Sequence, residues 1–189
     1  MNAAPLFVQI SVSLDDRIED AKKAIDWMTE DRSVDRLHTE TLESIAGMIF
    51  GRKAHETIAS FWMDAAAGRM EMDADLKRQS ELMAALPKYV LSHGPYQTDW
   101  NNSRVIRLDD VARIRAEAEK PIAAFAGAGA IQSLLAQGLV DDVRLIRYPV
   151  VLGSGTPLFA NDGVRRGFVS IDATDFKSGA RLERYRPMT

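Results

Sequence analysis

The chain contains no cysteine, and this absence removes several kinds of chemistry at once. Disulfide bonds, zinc sites built on thiolates and thiol nucleophiles are all excluded. Histidine is almost as scarce, since His38, His55 and His93 are the only three and their spacing matches no metal-binding pattern. We therefore expect no metal site, and we expect these imidazoles to lie at the surface or to cap helices.

Long apolar runs and an excess of cations are missing too. No stretch approaches the about 18 apolar residues that a membrane helix requires, and the N-terminus lacks a basic segment followed by an apolar one. The formal net charge of -3 provides no basic surface for a phosphate backbone. We predict a cytoplasmic protein with a small-molecule substrate and no membrane or nucleic-acid partner.

The 189 residues are 46% hydrophobic and 27% charged, which suits one soluble domain with a sizeable core. We find no internal repeat and no linker, so a single domain over residues 1–189 is predicted. Strand patterns alternate with helical ones, and the chain ends in two strands joined by a turn. This order predicts an α/β fold with a mostly parallel sheet and antiparallel strands at one edge. The predicted strands cover residues 6–14, 48–50, 88–92, 105–106, 143–152, 168–173 and 180–186, and the helices cover 33–46, parts of 61–86, 111–118 and a segment from about 130.

A glycine turn, Gly127-Ala128-Gly129, stands between an apolar strand and a helix with apolar residues on one face. Backbone there can approach a ligand closely, and the unpaired N–H groups of a helix N-terminus attract phosphate. The turn is not a complete dinucleotide fingerprint, because Gln132 stands where a third glycine is wanted, so a Rossmann domain is disfavoured. The alternative is a tight turn that binds nothing.

A second turn, Phe50-Gly51-Arg52-Lys53, places two cations at the start of a helix. Helix N–H groups, the helix dipole and full positive charges together suit a phosphate, in particular the extra phosphate of NADPH. A solvated helix start is the alternative. Two such turns on one sheet argue more strongly for a dinucleotide than either one does.

Candidate substrate residues follow the first strand. Asp15, Asp16 and Asp26 lie near its carboxyl end, where parallel sheets bind ligands, although solvated turn carboxylates have the same pattern. Trp27 is a candidate wall of a substrate pocket, with core packing as the alternative. Gly153 belongs to a glycine loop after a later strand, which either lines a pocket or forms a mobile loop.

Taken in order, these segments resemble the dihydrofolate-reductase-like family, and most closely the branch that includes the reductase domain of bacterial riboflavin biosynthesis. The resemblance covers nearly the whole length. The matching segments are Val12-Ser13-Leu14-Asp15, Phe50-Gly51-Arg52-Lys53, Lys88-Tyr89-Val90-Leu91-Ser92, Gly127-Ala128-Gly129-Ala130, Gly138-Leu139-Val140-Asp141-Asp142 and Pro149-Val150-Val151-Leu152-Gly153 with Pro157-Leu158-Phe159.

The resemblance implies a three-layer α/β/α fold with about eight strands, NADPH as cofactor and a homodimer. It also implies roles for residues of this chain. Gly51, Arg52 and Lys53 would hold the cofactor phosphates, and Ser92 and His93 would lie near the adenosine. Gly127, Ala128, Gly129, Ala130 and Ile131 would surround the pyrophosphate and the nicotinamide ribose. Asp15, Asp16 and Trp27 would face the substrate.

Three positions depart from the family pattern. Asp16 stands where glycine is usual, Ala54 replaces a threonine, and Ala128 replaces a glycine. Aspartate tolerates a left-handed backbone, so the first turn can persist with an added charge. Ala54 removes a hydroxyl donor, and the methyl group of Ala128 could crowd the pyrophosphate.

The leading hypothesis is an NADPH-dependent reductase that transfers a hydride to a small pyrimidine- or pteridine-like heterocycle. The proton would come from water or from Asp15, Asp16 or Asp26. The rival hypothesis is a non-catalytic homodimer that binds a nucleotide or another ligand on the same fold. An enzyme dependent on flavin or on another nucleotide is a third alternative.

Overall fold

The computed structural model describes residues 3–188. Within that range the helices are α1 (Arg32–Ser44), α2 (Arg52–Ala66), α3 (Ala74–Ala85), α4 (Asp110–Glu117) and α5 (Ala128–Ala136). The strands are β1 (Leu6–Val12), β2 (Arg17–Glu19), β3 (Gly47–Gly51), β4 (Lys88–Leu91), β5 (Ser103–Ile106), β6 (Ile122–Ala124), β7 (Asp142–Arg147), β8 (Thr156–Pro157), β9 (Phe168–Asp175) and β10 (Arg181–Pro187).

Eight of these strands form one sheet in the order β5-β4-β3-β6-β1-β7-β10-β9. Neighbouring strands from β5 to β7 are parallel, whereas β10 runs antiparallel to both β7 and β9. The predicted mixed sheet with antiparallel C-terminal strands is therefore confirmed. Because parallel strands end at the same edge, the loops after β1, β3, β4 and β6 all meet there.

Helices cover both faces of the sheet, which gives the three expected layers. Side chains of β1 alternate between the faces, so Leu6 and Val8 pack with α4 and α5 while Phe7 packs with α1, α2 and α3. The strand lies between β6 and β7, and even Gln9 on it is buried. The core therefore surrounds the strand whose carboxyl end carries the candidate substrate residues.

The strand predicted over residues 143–152 is shorter, because β7 ends at Arg147. Tyr148 still donates its N–H to the carbonyl of Val12, at 2.8 Å. Pro149 has no N–H to continue the pairing, and Val150 donates back to the carbonyl of Tyr148 at 2.8 Å. The chain therefore leaves the sheet here and crosses the carboxyl end of β1.

A small two-stranded sheet, which the residue pattern did not predict, forms beyond that end. Its strands are β2 and β8, which pair antiparallel. Gly155 precedes β8 with a φ of +118°, and a side chain there would collide with the carbonyl oxygen of Glu19. Only glycine permits this close approach. The loop that carries Gly153 is thereby held against the segment that follows β1.

Candidate functional site

Two helices begin side by side at the carboxyl edge of the sheet. Gly51 precedes α2 and Gly127 precedes α5, and neither helix has a side-chain cap. Helix α5 starts two residues earlier than predicted, because the carbonyl of Gly127 already accepts the N–H groups of Ala130 and Ile131. Since β3 and β6 are paired neighbours, the N–H groups of both first turns lie in one region.

The two turns are in contact as well as adjacent. A Cβ built at Gly51 would lie 3.1 Å from the Cβ of Ala130, tighter than ordinary van der Waals contact. The end of β3 therefore packs directly on the first turn of α5. The pair of phosphate-binding turns inferred from the sequence forms one continuous surface.

Space for a ligand is open at this surface. A Cβ built at Gly127 or Gly129 would meet no atom within 4 Å, and neither residue has a positive φ. Neither the packing nor the backbone conformation thus demands glycine at these positions. Ala128 is buried, which leaves little of its methyl group exposed to the groove. The crowding expected from Ala128 is therefore small, and the residues present fit a pyrophosphate.

Cations flank the two turns. Arg52 and Lys53 are exposed in the first turn of α2, and Arg52 Nε donates to Glu56 at 2.9 Å. Lys53 lies near enough to β2 for its charge to act on Glu19. Burial raises the pKa of Glu19, but hydrogen bonds from Lys23 and Thr156 and the charges of Lys23 and Lys53 lower it overall. The start of α2 and the strand β2 therefore lie near each other at this edge of the sheet.

The expected adenosine-side residues follow β4, the next strand outward from β3. Ser92 Oγ donates to the carbonyl of Gly94 at 2.9 Å, and Arg107 donates to the carbonyls of Ser92 and His93 at 3.1 and 2.6 Å. The side chain of His93 is exposed. Arg107 thus holds the turn through its backbone and leaves the imidazole in solvent at the same edge as α2.

Asp15 is engaged in holding the loop that contains Gly153. Its carboxylate accepts the N–H groups of Leu152 and Gly153, at 3.0 and 2.9 Å, and the hydroxyl of Ser13 at 2.7 Å. The Leu152 N–H above all, with the Ser13 hydroxyl, lowers the pKa of Asp15 to about 2. An acid ionised at neutral pH with both oxygens occupied is a poor proton donor. The geometry favours a loop-holding role over the catalytic role predicted for Asp15.

Asp16 adopts the left-handed conformation expected for a residue in place of glycine, with a φ of +55°. Its carboxylate pairs with Arg147 at 2.8 Å, and Arg147 also binds the carbonyl of Ser13 and the carboxylate of Glu183. The added charge is therefore neutralised within the fold. This pairing favours a role in holding the turn, not in proton transfer.

The contacts of Trp27 are those of a packed side chain and not those of a pocket wall. Its ring meets that of Tyr148 edge-on at 5.8 Å, its Nε1 donates to the carbonyl of Ala24, and it borders a core cluster that contains Val34. Among the predicted substrate residues Asp26 and Gly153 are exposed, and Gly153 has a φ of +70°. The core-packing alternative for Trp27 is the one that these contacts favour.

The expectation for His55 is wrong, because this residue is fully buried. Its Nδ1 lies 2.9 Å from Tyr96 Oη and its Nε2 lies 3.0 Å from Ser103 Oγ. Burial lowers its pKa to about 4, so the imidazole is neutral at physiological pH. His55 lies four residues before Ala59, so both are on the same face of α2, and that face is buried. This helical spacing is the sequence signal that predicts the burial of His55.

His38 is also placed differently from the surface position expected, because it is half-buried and its Nδ1 lies 3.3 Å from Nε2 of the buried Gln9. Lys88 was not singled out, yet it is fully buried and donates to the carbonyls of Met83 and Leu86 near the end of α3. Burial lowers the pKa of Lys88 to about 8. These groups stabilise the layers and do not open onto the glycine turns.

Two open pockets of the described residues border the edge strand β5. Their volumes are about 380 and 730 Å³, both border Ser103 and Arg104, and the smaller is also lined by Tyr96, which lies beside Arg52. Neither pocket is lined by the glycine turns, whose open space lies along the sheet edge. Over residues 3–188, no three His, Asp or Glu side chains are grouped to hold a metal, and no helix has the length and apolarity needed to cross a membrane.

Comparison with known proteins agrees with this architecture. Residues 4–180 match the family model of the RibD C-terminal domain. The Bacillus subtilis (strain 168) protein YyaP, which is uncharacterized, is 29% identical over 177 residues, covering 92% of this chain and 90% of its own.

Solved structures share the fold at lower identity. A Shewanella sp. PV-4 protein, provisionally assigned to riboflavin biosynthesis, aligns with a TM-score of 0.76 and 22% identity over 98% of this chain and 99% of its own. An Enterococcus faecalis dihydrofolate reductase, solved in complex with NADP(H), aligns with a TM-score of 0.63 and 11% identity over 98% and 97% of the two chains. The fold is therefore dihydrofolate-reductase-like, and the chain belongs to the RibD C-terminal domain family.

Proposed function

We propose that this protein is an NADPH-dependent reductase that transfers a hydride to a small pyrimidine- or pteridine-like heterocycle. Membership in a reductase-type family supports the reaction class. The names of two fold relatives, one assigned to riboflavin biosynthesis and one a dihydrofolate reductase, motivate the substrate class.

The observation that carries the proposal is the open space at Gly127 and Gly129. A glycine inside the first turn of a helix is less stable than alanine by about 1 kcal/mol, and nothing within 4 Å compensates for it here. A ligand that packs against the bare backbone accounts for Gly129, whereas Gly127 is the N-cap of α5, a position where glycine is itself preferred over alanine. The exposed cations Arg52 and Lys53 beside that space match a ligand with several phosphates.

In this proposal each part of the groove has a task. Arg52 and Lys53 bind the 2′-phosphate, and Ser92 and His93 lie beside the adenosine. The first turn of α5, residues 127–131, binds the pyrophosphate and the nicotinamide ribose. When bound, the cofactor supplies the hydride.

The substrate would lie at the end of β1, against the loop that Asp15 holds through Gly153. Since the oxygens of Asp15 are occupied and Asp16 is paired with Arg147, we propose that water delivers the proton. Asp26, which is exposed on the loop before α1, is the remaining carboxylate candidate.

Titration of the purified protein with NADPH and, in parallel, with NADH tests the proposal. We expect NADPH to bind at least about tenfold more tightly, because only NADPH has a phosphate for Arg52 and Lys53. Arg52→Ala should remove most of that preference. Arg78→Ala is the matched control, since Arg78 is an exposed, ion-paired arginine on α3 far along the chain from the groove. Absence of binding by either nucleotide would contradict the proposal.

A non-catalytic nucleotide-binding homodimer is the second candidate, and Ala54 is the observation that favours it, because a hydroxyl donor is missing from the first turn of α2. Tight NADPH binding without oxidation of NADPH across a panel of pyrimidines and pteridines would support it.

We propose a homodimer in either case, since Val169 and Ile171 are exposed on the edge strand β9. Sedimentation at several concentrations tests that assembly.

A further inference from the structure

A chain of contacts links the first turn of α2 to the edge strand β5. The guanidinium of Arg52 lies over the ring of Tyr96, with 5.4 Å between its central carbon and the ring centroid. Tyr96 Oη lies 2.9 Å from His55 Nδ1, and His55 Nε2 lies 3.0 Å from Ser103 Oγ. An exposed cation at the candidate cofactor groove is thus connected to the buried interior through two rings.

The interior end of this chain is firmly held. His55 is fully buried, and its ring contacts those of Phe50 and Trp100 at centroid distances of 5.6 and 5.1 Å. Each ring nitrogen has one hydroxyl partner, so the neutral imidazole donates one hydrogen bond and accepts the other. Because both ring nitrogens of the buried His55 are hydrogen-bonded, the orientation of the imidazole is fixed.

Tyr96 transmits that orientation to the surface. It lies in the irregular segment between β4 and β5, where no strand or helix pairing determines its position. Its ring meets that of His55 edge-on at 5.5 Å, in addition to the hydrogen bond. The side chain is therefore fixed by His55, and its ring forms a platform beside α2.

The guanidinium of Arg52 is consequently fixed on two sides. Its Nε donates to Glu56 at 2.9 Å, and one face is covered by the Tyr96 ring. The terminal nitrogens Nη1 and Nη2 have no hydrogen-bond partner among residues 3–188. An arginine held in this way presents a pre-oriented edge that matches a phosphate, and pre-orientation lowers the entropy lost on binding.

We propose that Tyr96, anchored by His55, is a positioning residue that gives this protein its preference for the 2′-phosphorylated nicotinamide cofactor. Tyr96 acts through Arg52 by holding the guanidinium in the orientation that receives the phosphate. This inference rests on the proposed NADPH site, and it assigns the selectivity of that site to a residue outside the phosphate-binding turns. Because the stacked pair is present before the cofactor binds, it lowers the entropy lost when the guanidinium binds the phosphate, and this effect acts on NADPH and not on NADH.

The test compares dissociation constants for NADPH and NADH in the intact protein and in two variants. Tyr96→Leu removes the platform, and we expect it to lower the NADPH-over-NADH preference by about three- to tenfold with NADH affinity nearly unchanged. Tyr96→Phe keeps the ring and removes only the bond to His55, so an intermediate loss is expected. A general loss of structure would weaken the binding of both nucleotides equally and leave the ratio of their dissociation constants unchanged.

The matched control is Tyr89→Leu. Tyr89 lies under the guanidinium of Arg104 at 4.7 Å, which is a comparable stacked pair on β4 and β5 whose tyrosine packs against the core cluster of α4 and α5. The Tyr89→Leu variant should have the same ratio of NADPH and NADH dissociation constants as the unmodified protein. In an Arg52→Ala background, Tyr96→Leu should cause no further change in the ratio, because the two residues act as one unit.

The outcomes distinguish the positioning role of Tyr96 from the proposed function of the protein. If the unmodified protein prefers NADPH and Tyr96→Leu, folded as judged by its unfolding midpoint, retains the full preference, the role of Tyr96 is overturned while the proposed function remains. If the unmodified protein binds neither nucleotide, the proposed function fails and this inference fails with it. A selective loss in Tyr96→Leu that disappears in the Arg52→Ala background supports both.

Discussion

Glycine at position 129 is unfavourable for the helix that contains it. It lies in the first turn of α5, where it has no positive φ and where a Cβ would meet open space. Packing therefore does not account for this glycine, whereas the proposed ligand beside it does. Asp15 shows the opposite relation, since its carboxylate is used entirely by the fold through Ser13, Leu152 and Gly153.

Gly129→Ala should move stability and cofactor binding in opposite directions. The free energy of unfolding should rise by about 0.5–1 kcal/mol from improved helix propensity, while NADPH affinity should fall by about tenfold because the methyl group occupies the groove. Urea unfolding and NADPH titration measure the two effects. Ser133→Ala, an exposed site on the same helix, should leave affinity unchanged. An alanine at 129 that binds NADPH normally would show that the open space is not the pyrophosphate site.

Asp15→Asn tests whether this carboxylate holds a loop or donates a proton. The amide NH₂ cannot accept the N–H of Leu152 or Gly153, so the loop at the end of β1 should loosen. We expect a lower unfolding midpoint and a KM for substrate raised by about tenfold, with a kcat that keeps its pH dependence. Steady-state kinetics from pH 5 to 9 provide the measurement. Loss of kcat at every pH would instead assign the proton to Asp15.

At the scale of elements, the site depends on how closely β3 approaches α5. Gly51 lets the end of β3 pack on Ala130, which brings the two helix N-termini together. Gly47, at the other end of the same strand, is more crowded, since a Cβ there would lie 2.9 Å from Tyr89 Cε2 and 3.2 Å from the carbonyl oxygen of Pro87. The two glycines serve the same packing purpose, but only Gly51 is beside the groove.

Gly51→Val should therefore affect both stability and binding. Overpacking against Ala130 should lower the free energy of unfolding by about 1–3 kcal/mol. It should also displace the first turn of α5 and thereby weaken the binding of NADPH. Gly47→Val is the control, and it should destabilise the protein at least as much with NADPH affinity kept. Equal loss of affinity in both variants would indicate that the binding defect comes from lower stability alone.

Across the whole molecule, ionised carboxylates join segments that are distant in the chain. Asp31 caps α1 through the N–H of Ser33 at 2.7 Å and also accepts the N–H of Ser178 from the turn between β9 and β10, at 2.9 Å. The N–H of Ser178 above all lowers the pKa of Asp31 to about 2, and Leu152 does the same for Asp15. These two groups connect β1 and α1 to the C-terminal third of the chain.

Stability should consequently fall in acid. Because the folded pKa values lie below the ordinary value of 3.8, both carboxylates contribute stability above about pH 4, and that contribution is lost as the pH falls toward 2. Urea unfolding at pH 7, 4 and 2.5 should show a steady decrease below pH 4. Asp31→Asn should flatten that decrease. The same slope in Asp31→Asn and in the unmodified protein would remove Asp31 from this explanation.

Much of this architecture follows from local residue patterns. The alternation of apolar strands with amphipathic helices and the closing pair of strands predict the mixed sheet, because burial of an apolar face requires that period. The glycine turns before α2 and α5 were identifiable since glycine and paired cations are local signals. The mismatch at β7 also has a local cause, because Pro149 ends the pairing that the apolar residues up to residue 152 suggested.

Only the tertiary structure decided which of these residues face each other. Tyr96 and Arg52 are 44 positions apart, and nothing in either segment indicates that the ring of Tyr96 lies beneath the guanidinium of Arg52. The burial of His55 and the β2–β8 pairing, which brings Gly155 against Glu19, were hidden for the same reason. Periodicity and turn chemistry act over a few residues, so they determine elements and their order. Contacts between loops depend on the folded paths of distant segments, and they decide which candidates form a site.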